Sequence, residues 1–322
     1  MIRISVWPGD LSETYLRHVT QLGVDCIDFG AAEAFPGVVE EGIPSLDGLL
    51  GIKRKLLAWG LTINRVTLPN ISQAYMDGEP GHQAELDATC QALRVFAEAG
   101  VPIVRQRFGG DAMPHRTNPF GSLHRGGYVS RGEYAHLSEP EPRSPDVLET
   151  WWGQFRRVYD RLVPIAAEAG VKLALHPSDT PYAGTPFDSL GYHRVIDLYP
   201  HRCVGYLYCV GTRAEAGGSA LVLDEIENYG RKGRLFTVHF RNVRGSLATA
   251  GGFEEALLDD GDMNMARILR ALQSVGFDGC VNPDHVPTLV GDHAPTSVGL
   301  AYSVGYIKAL LAAGETSPTV PR

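Results

Sequence analysis

The stretch LFTVHFRNV, Leu235–Val243, is the most informative part of this chain for its fold. It begins as an apolar run of the kind that forms a buried strand, and it ends on His239, Arg241 and Asn242. Polar side chains at the end of a buried strand must find partners or bind a ligand, because burying them unpaired costs free energy. The stretch therefore predicts a core strand that delivers polar groups to a functional site.

Three other apolar runs end in the same way. VKLALHPSD leads to His176, CVGYLYCVGT leads to Cys209, and GCVNPDH leads to Asp284 and His285. A single residue of this kind is usually a satisfied polar group or part of the packing. Four strands with the same ending favour a shared site, and two imidazoles, a thiolate and a carboxylate are good donors for a divalent transition metal.

Strand and helix patterns alternate in eight units along the 322 residues. The predicted strands are 2–7, 24–29, 61–66, 101–107, 171–176, 203–209, 235–240 and 279–283, and the predicted helices are 12–22, 45–59, 82–99, 146–169, 188–199, 219–230, 263–275 and 297–313. This alternation implies a parallel sheet, and eight units favour a single (β/α)8 TIM barrel. An open doubly wound sheet is the alternative, but no GxGxxG turn follows the first strand. In a barrel, the strand ends that carry the donors meet at the mouth.

The segment 109–145, after the fourth predicted strand, interrupts this rhythm. It is rich in Gly, Pro, His and Arg and shows no periodicity. One interpretation is a flexible surface excursion, and the other is a lid that carries Arg116, Arg125 and Arg131 toward an anionic substrate. The predicted organisation is a barrel domain over residues 1–314 with an insertion at 109–145, followed by a disordered tail at 315–322.

Composition excludes several classes of function. A net charge of −8 argues against a nucleic-acid surface, and no apolar run of about 18 residues is present to span a membrane. The N-terminus reads directly as a strand and lacks a signal-peptide pattern. Five cysteines without regular spacing argue against a disulfide framework and for the reducing cytoplasm. We expect a small-molecule ligand and a homo-oligomer, in the form of a dimer.

The second half of the chain also resembles the mannonate dehydratase family, metal-dependent barrel enzymes related in architecture to xylose isomerase. The matching stretches are AEAGVKLALHPSDTP, VHFRNV, LDDGDMNM and GFDGCVNPDH, in the family's order over about residues 167–285. The resemblance implies that His176, Cys209, His239 and Asp284 hold the metal, and it favours Mn²⁺. Ligand softness alone also allows Fe²⁺ or Zn²⁺.

Two features depart from the family pattern. Ser178 stands in HPSD where the family usually has a carboxylate, and the segment after PDH lacks the tyrosine to which the family gives a catalytic part. Tyr302 follows that segment, but its position within the last predicted helix indicates a core aromatic.

The implied reaction is the loss of water from D-mannonate to give 2-keto-3-deoxy-D-gluconate. His285 is the candidate acid/base, because histidine titrates near neutral pH, and its alternative role is a hydrogen bond to a metal ligand. Arg241 lies two residues after His239 and so on the same face of the strand. It is a candidate to bind the substrate carboxylate, or to form a salt bridge with Asp260 or Asp262.

Three further residues are candidates for substrate binding. Asn242 is expected to bind a sugar hydroxyl or to cap its loop. Asp262 is expected to bind substrate or to cap the helix that starts at Met263. Arg125 is the candidate from the insertion.

Two other functions compete with the dehydratase. A sugar isomerase or epimerase on the same barrel would also move a proton beside a carbonyl, although such enzymes more often use Glu and Asp ligands than a cysteine. A non-catalytic metal or sugar-binding protein is suggested only by the missing tyrosine.

Overall fold

A closed barrel of eight parallel strands forms the centre of the molecule. The computed structural model describes residues 1–110, 118–122, 124–134, 143–178 and 181–315. In chain order, the strands in these ranges are β1 Arg3–Val6, β2 Cys26–Asp28, β3 Thr62–Thr67, β4 Ile103–Arg105, β5 Asn118–Gly121, β6 Val129–Tyr134, β7 Lys172–Leu175, β8 Val204–Cys209, β9 Leu235–His239, β10 Asn242–Ser246, β11 Gly252–Ala256 and β12 Cys280–Asn282. The barrel runs β1-β12-β9-β8-β7-β4-β3-β2 and confirms the predicted (β/α)8 fold, since an open sheet would not close on itself.

Helices surround the barrel. They are α1 Glu13–Leu22, α2 Val38–Glu41, α3 Leu46–Leu57, α4 Gln73–Met76, α5 Gln83–Glu98, α6 Pro145–Ala169, α7 Ser189–Leu198, α8 Val210–Arg231, α9 Leu247–Ala250, α10 Met265–Ser274 and α11 Val298–Glu315. Ser12 caps α1, and Ser144 caps α6 ahead of Pro145, as helix N-termini prefer. No helix among the described residues is long and apolar enough to cross a membrane.

Two helix starts differ from the sequence prediction. The helix predicted at 219–230 begins at Val210, immediately after β8, with a non-helical break at Gly217 and Gly218. The helix predicted from Met263 begins at Met265, with Asn264 as its N-cap. The two glycines hid the first turns of α8, because glycine disfavours a helix interior.

A second sheet, of four antiparallel strands in the order β10-β11-β6-β5, was not predicted. We call it the cap sheet. Strands β10 and β11 form a hairpin after β9, and β5 and β6 come from the insertion at 109–145. The segment that showed no periodicity is therefore partly a sheet, whose short strands NPFG and VSRGEY contain Pro and Gly and so lack a strand signal. Arg116, the other residues 111–117, 123 and 135–142, and the tail residues 316–322 lie outside the described residues.

Candidate active site

The strand register brings the predicted donors to one end of the barrel. Cys209, the last residue of β8, lies opposite His239, the last residue of β9. On the other side of β9, His239 lies opposite Asn282, two residues before Asp284. His176 follows β7, which is the other neighbour of β8. Consecutive strands thus carry all four side chains to the mouth.

These side chains form a compact donor cluster. The ligand atoms of His176, Cys209 and His239 all lie within 4.8 Å of one another. The His176 Nε2 and His239 Nδ1 atoms are 3.2 Å apart, and Asp284 Oδ2 is 3.1 Å from the same Nδ1 atom. The two imidazole nitrogens and the sulfur lie close enough together to bind one ion, and the Asp284 carboxylate lies beside His239. Such donors suit a divalent transition metal.

The surroundings of His176, His239 and Asp284 favour the protonation states in which these three side chains can bind a metal. Burial, and next the charge of Arg105, hold the pKa of His176 well below its usual range, and burial also lowers the pKa of His239. Burial alone would raise the pKa of Asp284, but His239 and His285 hold that pKa well below its usual value. Neutral imidazoles and an ionised carboxylate are therefore the resting forms near neutral pH, and both can donate lone pairs.

A buried polar layer beneath the cluster holds two of the donors in place. Arg65 Nη2 is 3.2 Å from His239 Nε2, and Arg65 is itself paired at 3.6 Å with the buried carboxylate of Asp28. The Trp7 indole donates to Asp284 Oδ1 at 3.1 Å, and the Arg65 guanidinium lies 4.9 Å from the Trp7 ring. These supports were not predicted from the sequence, although Arg65 lies near the end of the predicted strand LTINRV.

Arg241 is enclosed by protein groups and is only 2% exposed. Its Nε atom is 3.4 Å from Cys209 Sγ and 3.6 Å from Asp284 Oδ2. Its Nη1 atom is 2.8 Å from Glu255 and also pairs with Glu215, so the expected salt-bridge partners, Asp260 and Asp262, are replaced by other carboxylates. The guanidinium lies across Gly211, where a Cβ would come within 2.4 Å of the Arg241 side chain.

Asn242 and Asp262 organise the loop before α10. The Asn242 amide donates to the carbonyls of Leu258 and Met263, and its oxygen accepts from the backbone N–H groups of Val243 and Met263. A Cβ on Gly261 would lie 2.2 Å from that oxygen, so only glycine fits there. Asp262 is exposed and accepts from the Gly245 N–H at 2.7 Å. The alternative that Asp262 caps the helix is wrong, because Asn264 makes the cap.

His285 lies on the rim of the cluster with 37% of its side chain exposed. Its Nδ1 atom is 2.6 Å from Glu255 Oε1, and its Nε2 atom is 3.6 Å from Asp284 Oδ2. Its backbone φ of 49° falls in the left-handed region, which costs a non-glycine residue about 1–2 kcal/mol. Strain of this kind is retained where the surrounding contacts hold a side chain in a required direction.

Arg125 and Tyr302 meet at a separate point. Arg125 pairs with Asp259 at 2.9 and 3.2 Å and lies 3.5 Å from Asp260. The Tyr302 hydroxyl donates to Asp259 at 2.6 Å, and 39% of Tyr302 is exposed. The expectation of a core aromatic at Tyr302 is therefore wrong, because its position on α11 turns the ring toward the Asp259 loop rather than the core.

Comparison with known proteins agrees with this architecture. The family model described as D-mannonate dehydratase (UxuA) matches residues 145–318, more than half of the chain. Mannonate dehydratase 2 of Halalkalibacterium halodurans is 24% identical over 325 residues, which cover 91% of this chain and 93% of the relative.

Two solved structures share the fold. The crystal structure of mannonate dehydratase from Streptococcus suis serotype 2 superposes with a TM-score of 0.81 at 24% identity, covering 100% of this chain and 97% of that one. A xylose isomerase domain protein from Alicyclobacillus acidocaldarius superposes with a TM-score of 0.62 at 17% identity, covering 98% and 100% of the two chains. The chain therefore belongs to the D-mannonate dehydratase family and is a hydro-lyase on a xylose isomerase-like barrel.

Proposed function

We propose that this protein is a metal-dependent sugar-acid dehydratase that converts D-mannonate to 2-keto-3-deoxy-D-gluconate and water. The observation that carries the proposal is the His285 imidazole on the rim of the His176, Cys209, His239 and Asp284 cluster. This arrangement provides a group that transfers protons beside a set of metal donors. A barrel that only bound sugar would not need a strained histidine at that point.

The reaction breaks the C2–H and C3–O bonds of the substrate and forms a C2–C3 double bond. The resulting enol gains a proton at C3 and loses the proton of its C2 hydroxyl to become the 2-keto product, and the departing C3 hydroxyl takes up a proton and leaves as water. A bound divalent metal would stabilise the negative charge that develops at the substrate carboxylate. His285 is exposed enough to reach substrate, and we assign its Nε2 atom to proton transfer at C2 and at the leaving hydroxyl.

The donor set suits more than one divalent metal. Family resemblance favours Mn²⁺, while two imidazoles and a thiolate also suit Fe²⁺ and Zn²⁺. We propose Mn²⁺, and we expect metal-stripped protein reconstituted with Mn²⁺ to be more active than protein reconstituted with either of the other two. Equal or higher activity with Fe²⁺ or Zn²⁺ would change the assignment of the metal without changing that of the reaction.

The test of function is a dehydration assay. Protein loaded with Mn²⁺ should convert D-mannonate to a 2-keto-3-deoxy acid, and D-gluconate, which differs only in configuration at C2, is the matched control substrate. Turnover of aldoses to ketoses without dehydration would instead support the isomerase alternative. Sugar binding without turnover of any acid would support a binding protein.

Arg105 is well placed to bind the substrate carboxylate. Arg241, the candidate named from the sequence, is enclosed among Cys209, Glu215 and Glu255. Arg105 ends β4, two residues after Ile103, which packs with residues of β7, β8 and β9 in a small separate apolar cluster. Alternate residues of a strand share a face, so Arg105 points the same way, and its charge acts on His176.

We expect Arg105→Met to raise KM for the sugar acid roughly 10- to 100-fold, as the loss of a charged hydrogen-bonding pair would, and to change kcat less. Steady-state kinetics on D-mannonate measure both constants. Arg105→Lys keeps the charge but not the planar fork, so its KM should lie between those of the wild type and Arg105→Met. An unchanged KM in Arg105→Met would assign the carboxylate to another cation.

We also propose that the protein is a cytoplasmic homodimer. All five cysteines are free and buried, which fits a reducing compartment. Light scattering of the purified protein tests the dimer.

A further inference from the structure

We propose that Glu255 of the cap sheet is a positioning residue that holds the His285 ring in one tautomer and one orientation. The inference rests on the proposed role of His285 in proton transfer. It assigns a task to a residue outside the barrel and outside the motifs that carry the family resemblance.

Glu255 is a buried carboxylate that contacts two arginines and a histidine. It is 2% exposed, and its Oε1 atom lies 2.6 Å from His285 Nδ1, 2.8 Å from Arg241 Nη1 and 2.8 Å from Arg131 Nη2. Burial alone would raise the pKa of Glu255, but Arg241 and the hydrogen bond from His285 bring it below its usual value. Glu255 is therefore a carboxylate, which can only accept hydrogen bonds.

This contact decides which ring nitrogen of His285 carries the proton. Since Glu255 only accepts, His285 Nδ1 must donate, and in the neutral ring Nε2 is then the nitrogen with the free lone pair. That atom lies on the side of Asp284, at 3.6 Å from Oδ2. The left-handed backbone at His285 and the bond to Glu255 together direct Nε2 toward the donor cluster.

The position of Glu255 also connects the cap sheet to the chemistry. Glu255 lies on β11, Arg131 lies on the neighbouring strand β6 from the insertion, and Arg241 follows β9. The insertion thus reaches the site through Arg131 and Glu255, and not through Arg125, which pairs with Asp259. The cap sheet therefore supplies a contact that orients His285.

The test is Glu255→Met, with Glu254→Met as the matched control; methionine is used because the oxygen of a glutamine would still accept from His285 Nδ1. Glu254 is the preceding residue of β11, faces the other side of the sheet and pairs with Arg244 at 2.8 Å. We expect Glu255→Met to lower kcat roughly 10- to 100-fold, with KM and bound metal nearly unchanged, as for other residues that orient a functional group. Glu254→Met should match the wild type in all three.

Long-range ¹⁵N–¹H NMR of histidine-labelled protein provides a readout independent of activity. The His285 signals, assigned by their loss in His285→Asn, should show the Nδ1–H tautomer in the wild type. In Glu255→Met they should shift toward the Nε2–H form that an unanchored imidazole favours. Where Glu255→Met fails to fold, the Nε2–H form in wild-type protein overturns the proposal by itself.

The outcomes separate this inference from the proposed function. An unchanged tautomer in folded Glu255→Met overturns it, as does loss of metal and stability without a change of tautomer, because Glu255 would then serve only the fold. If the wild type fails to dehydrate any sugar acid, the proposed function is lost, while the NMR comparison still decides whether Glu255 positions His285.

Discussion

His285→Asn is expected to lower kcat by roughly two to four orders of magnitude, the range typical of a lost general acid/base, while KM and metal content stay close to those of the wild type. Asparagine suits this test because it tolerates the left-handed backbone that His285 adopts at φ 49°, so the change removes the imidazole without adding strain. Steady-state kinetics and elemental analysis of the same preparation measure the three quantities.

His293→Asn provides the control for His285→Asn. His293 lies in the same segment after β12, is exposed, and belongs to no donor group among the described residues. Its replacement should leave kcat within about twofold, as surface substitutions usually do. Loss of metal together with activity in His285→Asn would assign His285 to ligand support, and retained activity would move proton transfer to another residue.

Cys209→Ser is expected to weaken metal binding roughly 100-fold or more, which corresponds to about 3 kcal/mol, the upper end for an interaction with a charged group. The serine hydroxyl does not ionise near neutral pH, so the metal would lose the negative charge of the thiolate ligand. Cys209 also caps α8 by accepting from the Thr212 N–H, and serine is a preferred cap, so the helix start should survive. Titration with Mn²⁺ followed by elemental analysis measures the loss.

Cys203→Ser is the matched control for Cys209→Ser. Cys203 is a buried cysteine immediately before β8, at the opposite end of the strand from Cys209, and its thiol faces the Val163 carbonyl. This variant should lose some stability from the buried polar change but keep its metal. Undiminished metal in Cys209→Ser would remove Cys209 from the ligand set.

Most of the barrel could be predicted from the sequence because the barrel depends on local signals. Short apolar runs, amphipathic helices and glycine punctuation recur in each unit, and each predicted barrel strand overlaps an observed one. The cap sheet could not be predicted in this way. Strands such as Asn118–Gly121 and Val129–Tyr134 carry Pro and Gly. Val129–Tyr134 pairs with β11, more than a hundred residues later, and Asn118–Gly121 pairs in turn with Val129–Tyr134.

Some residues of the candidate site could be predicted from the sequence and others could not. His176, Cys209, His239 and Asp284 were found because each follows a buried strand, and barrel topology brings neighbouring strand ends together. Arg105 ends β4 in the same way and Arg65 lies two residues before the end of β3, but neither was predicted. Arginine is not a metal ligand, so a pattern of metal donors does not include it.

The barrel, the strand ends that carry the predicted donors and the family resemblance can all be predicted from the sequence. The surroundings of those side chains depend on the tertiary structure. Arg241 appears available in the sequence and is enclosed by Glu215 and Glu255, and Asn242 is committed to the loop before α10. The partners of these side chains come from segments far away in the chain. A buried charge must pair with an opposite charge, and the fold determines which one lies within reach. A local sequence pattern therefore cannot predict the partner.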